Sequence, residues 1–363
     1  MSTKPADIGF ADNAPTKPAI RADSDRARVR SLDFLRGLAI MLVVLTHADL
    51  SFPANPRLSA ALSVIGNQGV QLFFLVSAWT MCLMWHGREG EEHRLGKFYI
   101  RRLIRIAIPY WGGLILYVGF VNFHPAEQDA FGIALNAVFL HGFWPRAINS
   151  VVPGGWSIAV EMTFYLVFPL LTRLDFNRLV LVAMAWLILV SIGAASLLKT
   201  LPPLFIYYSI LTQLPVFLIG MASYTLLHRE RVKMGYWLAV IVAWIAIAVV
   251  ARHFGFEGRP FFWVGIFLLA GVAIVCIHFN ISVGIVSFLG RQSYSMYLLH
   301  VALLWGLVRL APSLPLPAAF VILLLLTSIV AFVSQRTIER WSQACGRWLI
   351  ARLYPSQRRP LPR

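Results

Sequence analysis

The sequence predicts an all-α, polytopic membrane protein of about ten transmembrane helices, and three observations lead there. The 363 residues are 58% hydrophobic and only 13% charged, with a mean hydropathy of +0.70, which is not the balance of a soluble globular domain. Apolar runs of roughly 17–25 residues recur along most of the chain, the length that crosses a hydrocarbon layer about 30 Å thick. Most of the 32 Lys and Arg fall in short connections on one side of the resulting topology. That side also holds both termini, as the positive-inside rule requires of the cytoplasmic face.

In order, the predicted spans are 32–50, 61–85, 100–121, 156–173, 178–198, 205–227, 235–252, 261–279, 287–310 and 316–336. Residues 1–30, polar and rich in Ala, Pro, Asp and Arg, predict a disordered cytoplasmic tail without a cleavable signal peptide. Residues 31–340 form the membrane domain and 341–363 a basic cytoplasmic tail. Between the third and fourth spans, residues 131–142 (FGIALNAVFLHG) are apolar but short, and three readings stay open: a span, a re-entrant segment or an interfacial one. His124, His141 and His253 fall in predicted outer loops.

Composition also excludes. The net charge of +16 raises nucleic acid as a partner, but the basic residues are dispersed through loops between apolar spans, which argues against it. Cys82, Cys276 and Cys345 are odd in number and far apart, so they predict neither a disulfide framework nor a zinc site. No HExxH, P-loop or GxGxxG is present, so no metal and no ATP- or NAD-linked step is expected.

Four groups of residues carry chemistry. Arg36 and His47 lie in the first span, eleven residues apart. That spacing returns to within about 20° of one helix face and separates them by roughly 16 Å along the axis. An ionisable residue inside a membrane is costly and is a functional-site hypothesis by default; against it, Arg36 also reads as a snorkelling charge anchor and His47 as an imidazole bonded to a neighbouring carbonyl. Asp33 stands one turn before Arg36 and can pair with it. In KFYIRRLIRIAIPYW, Arg102 and Arg105 share a face beside Arg101 and Lys97, a pattern that suits phosphate groups or anionic lipid. In GGWSIAVEMTFYLVFPLL, Ser157, Glu161 and Tyr165 repeat every four residues, and Glu161 is a lone carboxylate in an apolar span. It reads as an acceptor-holding or His47-orienting group, or as half of a structural pair with an arginine. SFLGRQSYSMYLLH brings Ser293, Tyr294, Tyr297 and His300 into a span, where they read either as substrate contacts or as interhelical hydrogen bonds. Gly69, Gln71 and Ser77 in GVQLFFLVSAWT are a weaker signal.

Taken together and in order, these segments resemble the acyltransferase family 3 membrane proteins over roughly residues 30–340. The resemblance implies a membrane O-acyltransferase of the bacterial glycan-modifying type, located in the cytoplasmic (inner) membrane. Such enzymes move an acetyl or other short acyl group from cytoplasmic acyl-CoA, a co-substrate rather than a resident cofactor, to a hydroxyl of a glycan such as an exopolysaccharide, O-antigen or lipid-linked saccharide. Arg36 and His47 match the family's Arg-x10-His pair, Arg102 and Arg105 its Arg-x-x-Arg, and Glu161 the glutamate of its Trp-Ser-x-x-x-Glu run. The expected site is therefore His47 and Glu161 as catalytic groups, Arg36, Arg102 and Arg105 for the donor, and Ser157, Tyr165 and His300 for the acceptor. The sequence departs from the family at Gln71, where Asp is frequent, and at Ser77-Ala78-Trp79, where Ser-Gly-Phe is frequent. It ends soon after the tenth span, so no SGNH-type esterase-like domain is expected. A rival from another class is a proton-coupled saccharide transporter with His47 and Glu161 as its relay, which discontinuous helices and an internal repeat would favour.

Overall fold

A computed structural model describes residues 17–66, 68–121, 129–197, 200–229 and 259–355. Among them every regular element is helical. In chain order the α-helices are α1 (Lys17–Ser51), α2 (Pro56–Gly66), α3 (Gly69–His86), α4 (Arg94–Leu116), α5 (Ala130–Ala137), α6 (Gly155–Leu171), α7 (Phe176–Leu197), α8 (Pro203–Tyr208), α9 (Ile210–Arg229), α10 (Arg259–His278), α11 (Gly284–Arg291), α12 (Ser293–Leu310), α13 (Leu316–Ser334) and α14 (Arg340–Leu353). Short π-helical turns at Tyr117–Val121 and Gln335–Glu339 extend α4 and join α13 to α14.

Five stretches among the described residues are long and apolar enough to cross a membrane: Gly69–His86, Arg94–Val121, Pro203–Leu227, Gly284–Leu310 and Leu316–Leu353. Gly155–Leu171, Phe176–Val190 and Gly265–His278 are apolar but shorter. The architecture is thus a membrane helix bundle, while the expected count of ten spans is not reached. The predicted spans 156–173, 178–198 and 261–279 are met only by those shorter helices. The predicted span 61–85 is interrupted between α2 and α3, 205–227 breaks at Ser209 and 287–310 breaks at Gln292, yet each still overlaps one of the five stretches. The predicted span 235–252 and His253 lie outside the described residues, as does His124. Large apolar side chains such as Leu181, Ile188, Leu325 and Ile329 are more than half exposed. A water-soluble surface would not tolerate so many, but a bundle face turned to lipid does.

Three other expectations change. Helix α1 already begins at Lys17, within the stretch predicted to be a tail, although residues 1–16 lie outside the described residues. The predicted C-terminal tail contains α14, which packs along α4. Ser342 Oγ donates to the Ile104 carbonyl at 2.7 Å, and Tyr354 stacks on His93 with ring centroids 4.8 Å apart. Residues 131–142 contain only α5 and a three-residue 3-10 turn, too short to span, since eight helical residues cover about 12 Å. His141 is no loop residue: it is fully buried, with Nε2 2.9 Å from the Gly155 carbonyl.

One large apolar core joins α1, α3, α4, α6, α9 and α10, and a second joins α1 to α11, α12 and α13. Helix α1 therefore has a core on each side. Its closest approach is to α11, where Gly37 faces the Val286 carbonyl and Gly290 faces that of Asp33.

Candidate active site

Helices α1, α3, α4, α6, α11 and α12 surround a cavity of about 250 Å³. Arg36, Arg102, Arg105, Ser157, Glu161 and Tyr165 all line it, so six of the eight residues singled out in the sequence meet in one space. Because α1 is continuous, Arg36 and His47 do share a face as the spacing predicts.

Each cation has a different environment. Arg36 donates from Nη1 to Asp33 Oδ1 at 3.1 Å and from Nη2 to Thr80 Oγ1 at 2.6 Å, and Thr80 in turn donates to the Val76 carbonyl. Two fixed acceptors hold this guanidinium in place, so it is more than a loose anchor. Arg102 is only 5% exposed, yet its nearest acceptor is the Met84 thioether, and its guanidinium carbon stands 5.7 Å from the Tyr165 ring centre. No carboxylate pairs with it among the described residues. Arg105 is exposed on the cavity rim, as is Arg291.

Glu161 accepts hydrogen bonds from Ser77 and Tyr165, whose hydroxyl oxygens are 3.0 Å apart. Two hydroxyl donors on one carboxylate oxygen suit the ionised form, which only accepts. The arginine pairing considered from sequence does not occur among the described residues; Ser77, 84 residues away in the chain, takes that place. Glu161→Ala would strand two buried hydroxyls and is expected to destabilise the protein by about 1–3 kcal/mol per group. Glu161→Gln keeps an acceptor oxygen and should retain the fold while losing activity. Thermal unfolding in detergent beside an acyl-transfer assay separates the two, and an active Glu161→Gln variant would show that the charge is not used.

Ser157 Oγ lies 2.9 Å from the Gly154 carbonyl and 3.0 Å from the Tyr297 hydroxyl, which also donates to Gly154. Gly154 has φ 77°, a left-handed conformation suited to glycine, and it turns this carbonyl into the cluster. Tyr297 also separates the cavity from the remaining two candidates. Its ring contacts Phe73 on one side and His300 on the other, at centroid distances of 6.1 and 5.7 Å.

His47 and His300 do not line the cavity; they meet each other behind Tyr297, edge to face, with ring centroids 4.8 Å apart. His47 Nδ1 is 2.8 Å from the Val43 carbonyl and His300 Nδ1 is 2.7 Å from that of Tyr297. A carbonyl can only accept, so both Nδ1 atoms carry the proton and both Nε2 atoms hold a lone pair. His300 is fully buried and its Nε2 has no hydrogen-bond partner among the described residues, whereas His47 is only partly buried. The arrangement supplies an accessible base beside a buried, unsatisfied acceptor.

Both departures from the resembling family have structural roles. Gln71 is buried away from the cavity and donates to the Tyr207 hydroxyl at 3.0 Å. Trp79 fills the core between α3 and α9 and donates from Nε1 to Ser223 Oγ at 2.8 Å. Tyr294 likewise ties α12 to α4 by donating to the Ile106 carbonyl at 2.9 Å. No cluster of His, Cys, Asp or Glu suited to a metal ion occurs among the described residues.

A family model described as an acyltransferase domain, that of acyltransferase family 3, matches residues 29–336. The chain belongs to this family. A putative membrane-bound transacylase, BcsY of Komagataeibacter xylinus, is 27% identical over 296 residues, 75% of this chain and 72% of the relative. Peptidoglycan O-acetyltransferase OatA of Listeria monocytogenes is 27% identical over 159 residues, and acyltransferase MdmB of Streptomyces mycarofaciens 28% identical over 161. Each of those matches takes in 40% of this chain, and they span 24% and 40% of the respective relatives. No solved structure matches the chain.

Proposed function

We propose that this protein is an acyl-CoA-dependent O-acyltransferase of the bacterial inner membrane, with both termini cytoplasmic. Its reaction moves an acetyl or other short acyl group to a hydroxyl of a cell-envelope glycan: an exopolysaccharide, an O-antigen or a lipid-linked saccharide. The observation that carries this reading is the meeting of Arg36, Arg102, Arg105 and Glu161 around one cavity whose inner wall, Tyr297, touches His300, the ring partner of His47. A peptidoglycan O-acetyltransferase and a putative membrane-bound transacylase among the relatives point to the same chemistry.

In this reading the donor's phosphates meet Arg102 and Arg105, helped by Arg36, through charge-assisted hydrogen bonds. The pantetheine arm follows α1 inward over the roughly 16 Å to His47, and Tyr297, which stands between the cavity and His47, turns aside to admit it. His47 Nε2 takes the proton of the acceptor hydroxyl as its oxygen bonds to the thioester carbon. Loss of the C–S bond releases the CoA thiolate, which recovers that proton from the imidazolium, so transfer is direct. Ser157, Tyr165 and His300 hold the acceptor. Arg102→Ala combined with Arg105→Ala is expected to weaken acyl-CoA binding at least tenfold, since each charge-assisted hydrogen bond contributes roughly 1.5–3 kcal/mol. Calorimetry with acetyl-CoA on purified protein checks this, and unchanged binding removes the donor role.

The breaks at Ser209 and Gln292 are the discontinuities expected of the rival transporter. Family membership favours acyl transfer over it.

A further inference from the structure

Helix α4 begins against the usual electrostatics. A helix N-terminus carries partial positive charge and favours acidic residues, but the first turn of α4 contains none, and its N-cap residue, His93, provides no side-chain cap. Arg94 and Lys97 stand there instead. Beside this terminus lies a narrow recess, separated from the larger cavity by Arg102 and lined by Arg88, Arg94, Arg101 and Arg102 around Trp85 and Phe98.

The partners of these four cations are incomplete. Arg94 stacks on Trp85 at 3.8 Å and donates to its carbonyl, but its Nε is buried without a partner. Arg101 is held by both oxygens of Glu91, and Arg88 reaches the same carboxylate at 3.9 Å. The hydrogen bonds from Arg101 hold Glu91 below the ordinary carboxylate range. Arg102, nine-tenths buried, has only a thioether. Glu89 and Glu92, in the same loop, form no ion pair among the described residues. Two of the four guanidinium groups, Arg88 and Arg101, share the one carboxylate, with Arg88 also donating to the Met84 carbonyl, while Arg94 and Arg102 have no anion among the described residues; a buried cation without an anion, as at Arg102, is costly.

We propose that this recess is a phosphomonoester-binding site in which Glu91 is the internal anion that a bound phosphate displaces. On the acyl-CoA reading above, on which this assignment of the ligand rests, the phosphate is the 3′-phosphate of the donor's ribose. The recess itself is only about 20 Å³, so the phosphate takes the place of Glu91 against Arg88 and Arg101, and Arg102, which lines both spaces, lets one nucleotide reach on with its pyrophosphate toward Arg105. The phosphate of phosphatidic acid, also a monoester, has the same chemistry and is the other source.

The test uses the full chain in neutral detergent and compares KM for acetyl-CoA with KM for acetyl-3′-dephospho-CoA. The wild type should favour the phosphorylated donor about tenfold or more, and Arg88→Gln with Arg101→Gln should bring the ratio near one. Glu91→Gln should move it the other way, because it removes a competitor. A purely structural loop would weaken with all of these changes. Thermal stabilisation by adenosine 3′,5′-bisphosphate over AMP gives the same comparison without turnover. Stabilisation by phosphatidic acid that needs Arg88 and Arg101, with no preference between the donors, would keep the site but overturn its assignment to the donor. No preference and no lipid effect, or weakening by Glu91→Gln, overturns the proposal. Absence of transfer from either donor would instead strike the acyl-CoA reading itself.

Discussion

Replacing His47 by alanine is expected to abolish acyl transfer while leaving the protein folded in the membrane. The imidazole is held by one bond, from Nδ1 to the Val43 carbonyl of its own helix, which fixes the tautomer and leaves Nε2 as the base. Removing a positioned general base typically costs 10²–10⁴-fold in rate. The structural cost is small by comparison: one hydrogen bond of net value near 1 kcal/mol and a side chain that is only partly buried. Val43 lies in a helix whose other bonds are intact. Radiolabelled acetyl transfer by purified protein measures the rate, and mass spectrometry of surface glycans from cells carrying the variant should show the loss of one acetyl mass per site. A His47→Ala protein that acylates its acceptor at the wild-type rate would end His47's role as base.

How much of this site the sequence made legible depends on whether the partners were local. Arg36, Asp33 and His47 are related by helical spacing within α1, and the structure keeps that relation. The same holds for Glu161 and Tyr165, one turn apart in α6. What periodicity cannot show is which helices face each other. Ser77 meets Glu161, Thr80 meets Arg36 and His300 meets His47, and each pairing depends on how helices distant in sequence dock. Hydropathy also averages over single polar residues, so Ser209 and Gln292 did not register as breaks in otherwise apolar runs. A run rich in arginine reads as a tail when only its charge is counted. Residues 340–353 also carry Ser342 and Gly346, which meet Ile104 of α4, and this small-residue face is what docks α14.

The second large effect is expected at the crossing of α1 and α11. A Cβ at Gly290 would stand 1.7 Å from the Asp33 carbonyl oxygen, and one at Gly37 would stand 2.0 Å from that of Val286. Both obstacles are backbone atoms of helices, which cannot rotate aside as a side chain can, so even alanine must push the helices apart. Small residues are what allow such close approach in membranes, where packing rather than the hydrophobic effect drives helix association. Overpacking of this kind costs about 1–3 kcal/mol, and here it acts on the site as well. Asp33, whose carbonyl is displaced, pairs with Arg36, while Gly290 and Arg291 themselves line the cavity. Gly290→Ala should therefore lower both the thermal midpoint and the affinity for acyl-CoA. Gly284→Ala, in the same helix with nothing within 4 Å of the added carbon, should change neither. Gly37→Ala together with Gly290→Ala should cost less than the sum of the two, because one separation of the helices relieves both clashes. Equal thermal midpoints for Gly290→Ala and Gly284→Ala would mean that α1 and α11 do not meet backbone to backbone, and the placement of Arg36 beside Arg291 would fall with that contact.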